Sequence, residues 1–156
     1  MIVPEEWILP LCREGKMVIW DQFVWDRGST HNHCPSYVCV QSERVYVLCR
    51  PGEKPYFRNQ DFHWLERKNK DIGDVWRIPP DRSSPHNAPF PERLARQCIR
   101  MWSKPESLVV DPYSGSGTTM LACIRENRRF IGAEMMRKYF NMAVERVSGK
   151  ASITQG

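Results

Sequence analysis

Hydrophobic and polar positions divide the chain into three zones with different periodicities. In the first, residues 4–49, Pro4-Glu5-Glu6-Trp7-Ile8-Leu9 predicts a helix that Pro10 interrupts and Gly15 stops, because proline removes a helical N–H and glycine accepts a left-handed turn. Met17 to Val24 and Val45 to Cys49 are rich in β-branched and aromatic residues and read as strands. Between them, Asp26 to Ser36 reads as loop, carrying the turn formers Gly28, Ser29, Thr30, Asn32 and Pro35.

The second zone, residues 50–90, shows no sustained period. Pro51-Gly52, Pro55, Pro79-Pro80, Pro85 and Pro89 punctuate a polar stretch that also holds Tyr56, Phe57, Phe62, Trp64 and Trp76. That many aromatics do not suit a flexible linker, so a loop-rich recognition surface is the expectation.

The third zone, 91–147, is regular. Pro91 and Glu92 open a helix whose apolar face is Leu94, Ala95, Cys98, Ile99 and Trp102, with Arg93, Arg96 and Arg100 along another face. Leu108-Val109-Val110 is a short buried strand ending in Asp111; a glycine-rich turn leads into a helix over Thr118–Glu126. Arg129 to Ala133 is a second strand, ending in Glu134, and a last helix carries Phe140, Ala143, Val144 and Val147. Helix, strand, helix, strand, helix predicts a parallel α/β arrangement. Ser148 to Gly156 reads as a frayed tail. The expectation is one α/β domain, with strands in 1–49, a recognition segment in 50–85, a ligand-binding part in 86–147 and the tail in 148–156.

Composition narrows the class. The 156 residues, 41% hydrophobic and 26% charged, describe an ordinary globular chain. No apolar run approaches the ~18 residues of a membrane span, and Met1 to Glu6 does not resemble a signal peptide. The six scattered cysteines then read as reduced thiols of a cytoplasmic protein. His31, His33, Cys34 and Cys39 match no common zinc spacing, so no metal is expected.

The formal charge of +5 is concentrated: Arg50 to Lys104 holds twelve Lys/Arg against seven Asp/Glu, and the remainder holds eleven of each. Such clustering suits a polyanion, since each neutralised phosphate releases counterions, and suits a solvated polar surface equally well. The candidate polyanion contacts are Arg58, Arg67, Lys68, Lys70, Arg77 and Arg82.

The sharpest chemical signal is Asp111-Pro112-Tyr113-Ser114-Gly115-Ser116-Gly117-Thr118-Thr119, at a strand's carboxyl end and a helix's amino end. Glycines there let backbone approach a ligand closely, and free N–H groups of the helix face it. Glu134, 23 residues after Asp111, ends the next strand, where a carboxylate can accept hydrogen bonds from both hydroxyls of a ribose. Met120 stands where a dinucleotide site has its third glycine. An acid at Asp111 suits an ammonium better than a phosphate, which favours S-adenosylmethionine over a nicotinamide dinucleotide.

Val110 to Thr119 resembles the Asp-Pro-Phe-x-Gly-Ser-Gly-Thr-Thr signature of the N6-adenine and N4-cytosine DNA methyltransferases, with Tyr113 in place of Phe. His86-Asn87-Ala88-Pro89-Phe90-Pro91-Glu92-Arg93-Leu94 resembles the segment that precedes this loop in the family's permuted arrangement and closes over the methionine end of the cofactor. Phe130 to Glu134, with Tyr139, Phe140 and Ala143, is similar to the family's next strand and helix. The likeness is strong over 76–147 and weaker over 17–50, where Ile19 to Asp26 and Ser42 to Arg50 resemble its last two strands.

The resemblance implies a partial Rossmann-like methyltransferase fold, S-adenosylmethionine as cofactor and double-stranded DNA as substrate, in a bacterial or phage-infected cell. Its implied cofactor residues are His86, Pro89, Phe90, Asp111, Pro112, Tyr113, Ser114, Gly115, Ser116, Gly117, Thr118, Glu134 and Met135.

The family also carries an Asp/Asn/Ser-Pro-Pro-aromatic motif that binds the flipped base's amine and stacks on its ring. Ile78-Pro79-Pro80-Asp81 has the prolines without the acceptor before or the aromatic after, so no catalytic residue is assigned. By resemblance, two central strands would precede Met1 in a full-length relative. A complementing subunit, or an oligomer closing the gap, is the expectation.

Overall fold

The computed structural model describes residues 4–28, 41–56, 73–81 and 90–151. The chain forms two compact units, one of Met1–Pro55 with Asp61–Ile78, the other of Tyr56–Gln60 with Pro79–Gly156.

The first unit begins with α1, Pro4–Arg13. Contrary to expectation, Pro10 lies inside this helix and does not break it. The i−4 carbonyl that proline deprives of a donor belongs to Glu6, which is exposed and open to water, so the loss is tolerated. Gly15 ends the helix as expected: its φ is +67°, and Lys16 N donates back to Leu11 O at 2.9 Å.

β1 (Val18–Asp26) pairs antiparallel with β2 (Ser42–Cys49), from Val18 opposite Cys49 to Asp26 opposite Ser42. The register shifts between Ile19 and Asp21, which leaves Trp20 as the extra residue of a bulge. On β1's other side lies β3 (Val75–Arg77), parallel to Val24–Asp26. This strand falls in the zone read as irregular. Three residues are too few to show alternation, and burial of Trp76 supplies the order that periodicity did not.

The unit's core is aromatic: Phe23, Trp25, Trp76 and Ile78 are buried, and the rings of Phe23 and Trp76 stack with centroids 3.7 Å apart. The Trp25 indole N–H donates to the Ile78 carbonyl at 2.7 Å, so the one polar atom of that buried ring is satisfied.

The second unit runs α2 (Glu92–Trp102), β4 (Leu108–Asp111), α3 (Thr118–Arg125), β5 (Arg129–Gly132) and α4 (Arg137–Ala151). β4 and β5 are parallel, Leu108 opposite Arg129 and Asp111 opposite Gly132. Here the core is small and close: Ala95, Ile99, Ala122 and Cys123 are buried, with Val109 and Phe130 packed onto them. Strand alternation turns Leu108, Val110 and Ile131 the other way, and they are exposed. Among the described residues β4 and β5 form a sheet of two strands.

α4 continues to Ala151 where a frayed tail from Ser148 was expected. Gly149 does not adopt a positive φ, so it costs helix propensity without terminating the helix.

Two arginines of α2, Arg96 and Arg100, engage the end of α3. Arg96 Nε donates to Glu126 Oε1 at 2.6 Å, Arg100 Nε donates to Glu126 Oε2, and Arg128 donates to the Glu126 carbonyl. Arg128 also donates to Ser103 O at 2.6 Å. Burial pushes the Glu126 carboxyl up, but the bonds from Arg100 and Arg96 outweigh burial and hold it below its ordinary value. This network pins the end of α3 to α2 beneath the sheet.

Candidate cofactor loop

Backbone bonds carry the strand order into a fixed loop. The Ala133 N–H donates to the Asp111 carbonyl at 3.0 Å, and Ser114 N–H to the Ala133 carbonyl at 2.9 Å, extending the β4–β5 pairing past the strands. Tyr113 N–H then caps the Asp111 side chain, donating to Oδ1 at 3.0 Å. Gly117 N–H closes a turn onto Ser114 O at 2.9 Å, and the Gly117 carbonyl accepts from Leu121 N–H to start α3.

Two glycines have backbone conformations that other residues rarely take: φ is +52° at Gly115 and +83° at Gly117. At Gly117 space is also short, since a Cβ would lie 2.9 Å from the Ala143 Cβ of α4. Gly132 is constrained from the other strand, where a Cβ would meet the Phe130 ring at 2.5 Å and the Ser114 Cβ at 3.0 Å.

Glu134 joins the two strand ends. Its Oε2 accepts from Gly115 N–H at 2.9 Å and its Oε1 from Met136 N–H at 2.7 Å. An ionised carboxylate has about four acceptor positions, so each oxygen keeps capacity for a hydroxyl donor. Around it, Tyr113 is 88% and Met135 95% exposed, leaving an aromatic ring and a thioether free to cover an apolar ligand face. Ser116, Gly117 and Thr118 are buried beneath the rim.

The sequence-predicted residues Asp111 to Thr118 and Glu134–Met135 therefore come together at one end of β4 and β5. Phe90 lies in the same unit and is 39% exposed. His86 and Pro89 lie outside the described residues, as do Arg58, Arg67, Lys68, Lys70 and Arg82 and the His31–Cys39 loop. Arg77, on β3, has an exposed side chain 3.6 Å from Asp26. Among the described residues, no group of three His, Cys, Asp or Glu could hold a metal ion, and no helix is long and apolar enough to cross a membrane.

Sequence reading missed one residue. Arg146 of α4 donates through Nη1 to the Ser116 carbonyl at 2.7 Å and the Ser116 hydroxyl at 3.1 Å. The available signal was a cation three residues after Ala143, on the same helical face.

The model of the DNA methylase family matches residues 5–145. The chain belongs to the N6-adenine/N4-cytosine DNA methyltransferase family. It is 30% identical over 142 residues to the type II methyltransferase M.BglI of Bacillus subtilis, a match covering 86% of this chain and 40% of that protein. It is 36% identical over 145 residues to the type II methyltransferase M.Cfr9I of Citrobacter freundii, covering 88% and 47% respectively. The chain thus spans less than half the length of these curated relatives. A solved structure of M1.HpyAVI with SAM superposes with a TM-score of 0.74 at 24% identity, over 90% of this chain and 68% of that one. The fold is part of the Rossmann-like α/β fold of these methyltransferases.

Proposed function

We propose that this chain is the S-adenosylmethionine-binding part of a site-specific DNA N-methyltransferase acting on adenine N6 or cytosine N4 in the cytoplasm of a bacterial or phage-infected cell. The observation that carries the reading is the Glu134 carboxylate, bonded to the Gly115 N–H and retaining acceptor capacity beside the loop. The donor set fits the cofactor. Glu134 would take the ribose hydroxyls, Asp111 Oδ2, unengaged among the described residues, the methionine ammonium, and Tyr113 and Met135 the faces of the adenine. Phe90, with His86 and Pro89, would close over the methionine end; Pro112 and the Ser114–Thr118 backbone shape the floor. Bound there, the sulfonium supplies an electrophilic methyl group.

What the chain does not supply is a group to orient the accepting amine. Its 156 residues hold no acceptor-Pro-Pro-aromatic sequence, and orientation accounts for ~7–11 kcal/mol of such a barrier. In this reading that element comes from a complementing polypeptide or from a further segment of a longer one. The exposed Leu108, Val110 and Ile131 support a further layer packed on that face, because parallel sheets ordinarily bury both faces, and the β4–β5 sheet, two-stranded among the described residues, offers edges that invite a further strand.

Double-stranded DNA would meet the basic 50–104 segment, with Arg58, Arg67, Lys68, Lys70, Arg77 and Arg82 on phosphates. Its affinity should fall steeply between low and physiological salt and depend little on sequence; binding indifferent to ionic strength would contradict that assignment.

The alternative, a non-catalytic DNA- or cofactor-binding protein derived from such enzymes, is favoured by the same missing motif. One assay with methyl-labelled S-adenosylmethionine and mixed-sequence DNA addresses both. Label retained by the protein with none transferred to DNA is expected of the chain alone, and transfer on adding a polypeptide that carries the motif identifies a completed enzyme. Turnover by the isolated chain as a monomer would overturn this account of catalysis.

A further inference from the structure

We propose that Arg146 is a positioning residue for the cofactor loop, holding the Ser116–Gly117 peptide in the orientation that ligand binding requires. This rests on the S-adenosylmethionine reading above.

The loop is soft by composition. Ser116 stands between Gly115 and Gly117, both at positive φ, and glycine crosses between backbone regions with little steric penalty. A peptide flanked in this way can flip at low cost unless something outside the loop holds it. Its carbonyl cannot be held by α3, whose first ladder bond runs from Leu121 N–H to the Gly117 carbonyl and so begins one residue later. Ser116 is nonetheless buried, 5% exposed, and a buried carbonyl needs a donor.

Arg146 provides that donor, at 2.7 Å to the carbonyl and 3.1 Å to the hydroxyl of the same residue. Both acceptors of Ser116 are thereby tied to one guanidinium, which fixes the peptide plane and the side chain together. A charge-assisted bond from a guanidinium to a carbonyl is stronger than a neutral one.

α4 meets the loop a second time one turn earlier. Ala143, three residues before Arg146 on the same helical face, lies where a Cβ on Gly117 would come within 2.9 Å. Ala143 thus sets how close α4 approaches, and Arg146 sets how the peptide is turned. A flip would carry Gly117 N–H off the Ser114 carbonyl and so undo the turn held at 2.9 Å beside the Gly115–Glu134 bond. The helix after the second strand therefore shapes the loop after the first.

The test is calorimetric titration of S-adenosylhomocysteine into wild type, R146A, R146K and S116A, each at a fixed interval below its own melting temperature so that folded fractions match. R146A should bind about tenfold or more weakly, in the range for loss of a charged hydrogen bond. S116A, which keeps the carbonyl bond, should lose about threefold or less. R146K should fall between wild type and R146A, and decides the question should R146A fail to fold. Ethylguanidinium added to R146A should restore affinity while ethylammonium should not, a rescue that a general loss of stability would not show. Backbone amide exchange at Gly117 should quicken in R146A while that at Val109 and Phe130 stays as in wild type. A wild type that binds, with R146A or R146K binding equally well, overturns this role alone. A wild type that does not bind S-adenosylhomocysteine overturns the cofactor reading and this role with it.

Discussion

The two units solve opposite packing problems. The first is held by large rings: Phe23, Trp25 and Trp76 fill the space beside a three-stranded sheet, and the backbone needs no unusual conformation to accommodate them. The second is held by close approach: Ala95, Ala122 and Cys123 bring helices against a two-stranded sheet, and Gly117 and Gly132 sit where no side chain fits. Large rings give burial without demanding exact backbone placement. Small residues give less burial per position but allow the close backbone approach seen at Gly117 and Gly132, on which the shape of the Asp111–Thr118 loop depends.

Breaking the aromatic core should produce the largest effect. Trp76→Ala removes the stacked partner of Phe23 and should cost about 3–5 kcal/mol in chemical denaturation. A loss under 1 kcal/mol would mean that β3 is not part of the folded core.

In the second unit the comparable lever is polar. Glu126→Gln leaves Arg96 and Arg100, each about a third exposed or less, without their carboxylate, and should cost about 1–3 kcal/mol. The same group gives a pH signature. Its folded pKa lies below the ordinary 4.5, so its stabilisation is fully present above that value and is lost as pH falls below it through the folded pKa. Wild type should lose stability over that acid interval more steeply than Glu126→Gln, and parallel curves would show that the network is not what the acid limb reports.

The same contrast explains what the sequence disclosed. Asp111 to Thr118 and Glu134 were legible because positive φ at Gly115 and Gly117 admits few residue types, so the geometry leaves a signature in the residues themselves. β3 was not, since Val75-Trp76-Arg77 becomes a strand only through Phe23 and the Trp25–Ile78 bond, contacts some fifty residues away in sequence. Pro10 misled because its local rule assumes that the freed carbonyl has no other partner, whereas Glu6 faces water. Arg146 was missed for a third reason: its contact with Ser116 is a tertiary bond, and its spacing from Ala143 on one helical face, the only signal in the α4 sequence, does not by itself say what the arginine reaches.

In the function proposed above, the loop of β4 and the acid of β5 together hold a nucleoside methyl donor. Titration calorimetry of S-adenosylhomocysteine into wild type and Glu134→Ala measures this directly. Wild type should bind at one site, and the variant should lose about 1–3 kcal/mol of binding free energy, the range for unmade bonds to a charged group. An affinity unchanged by Glu134→Ala would contradict the assignment of the ribose to that carboxylate.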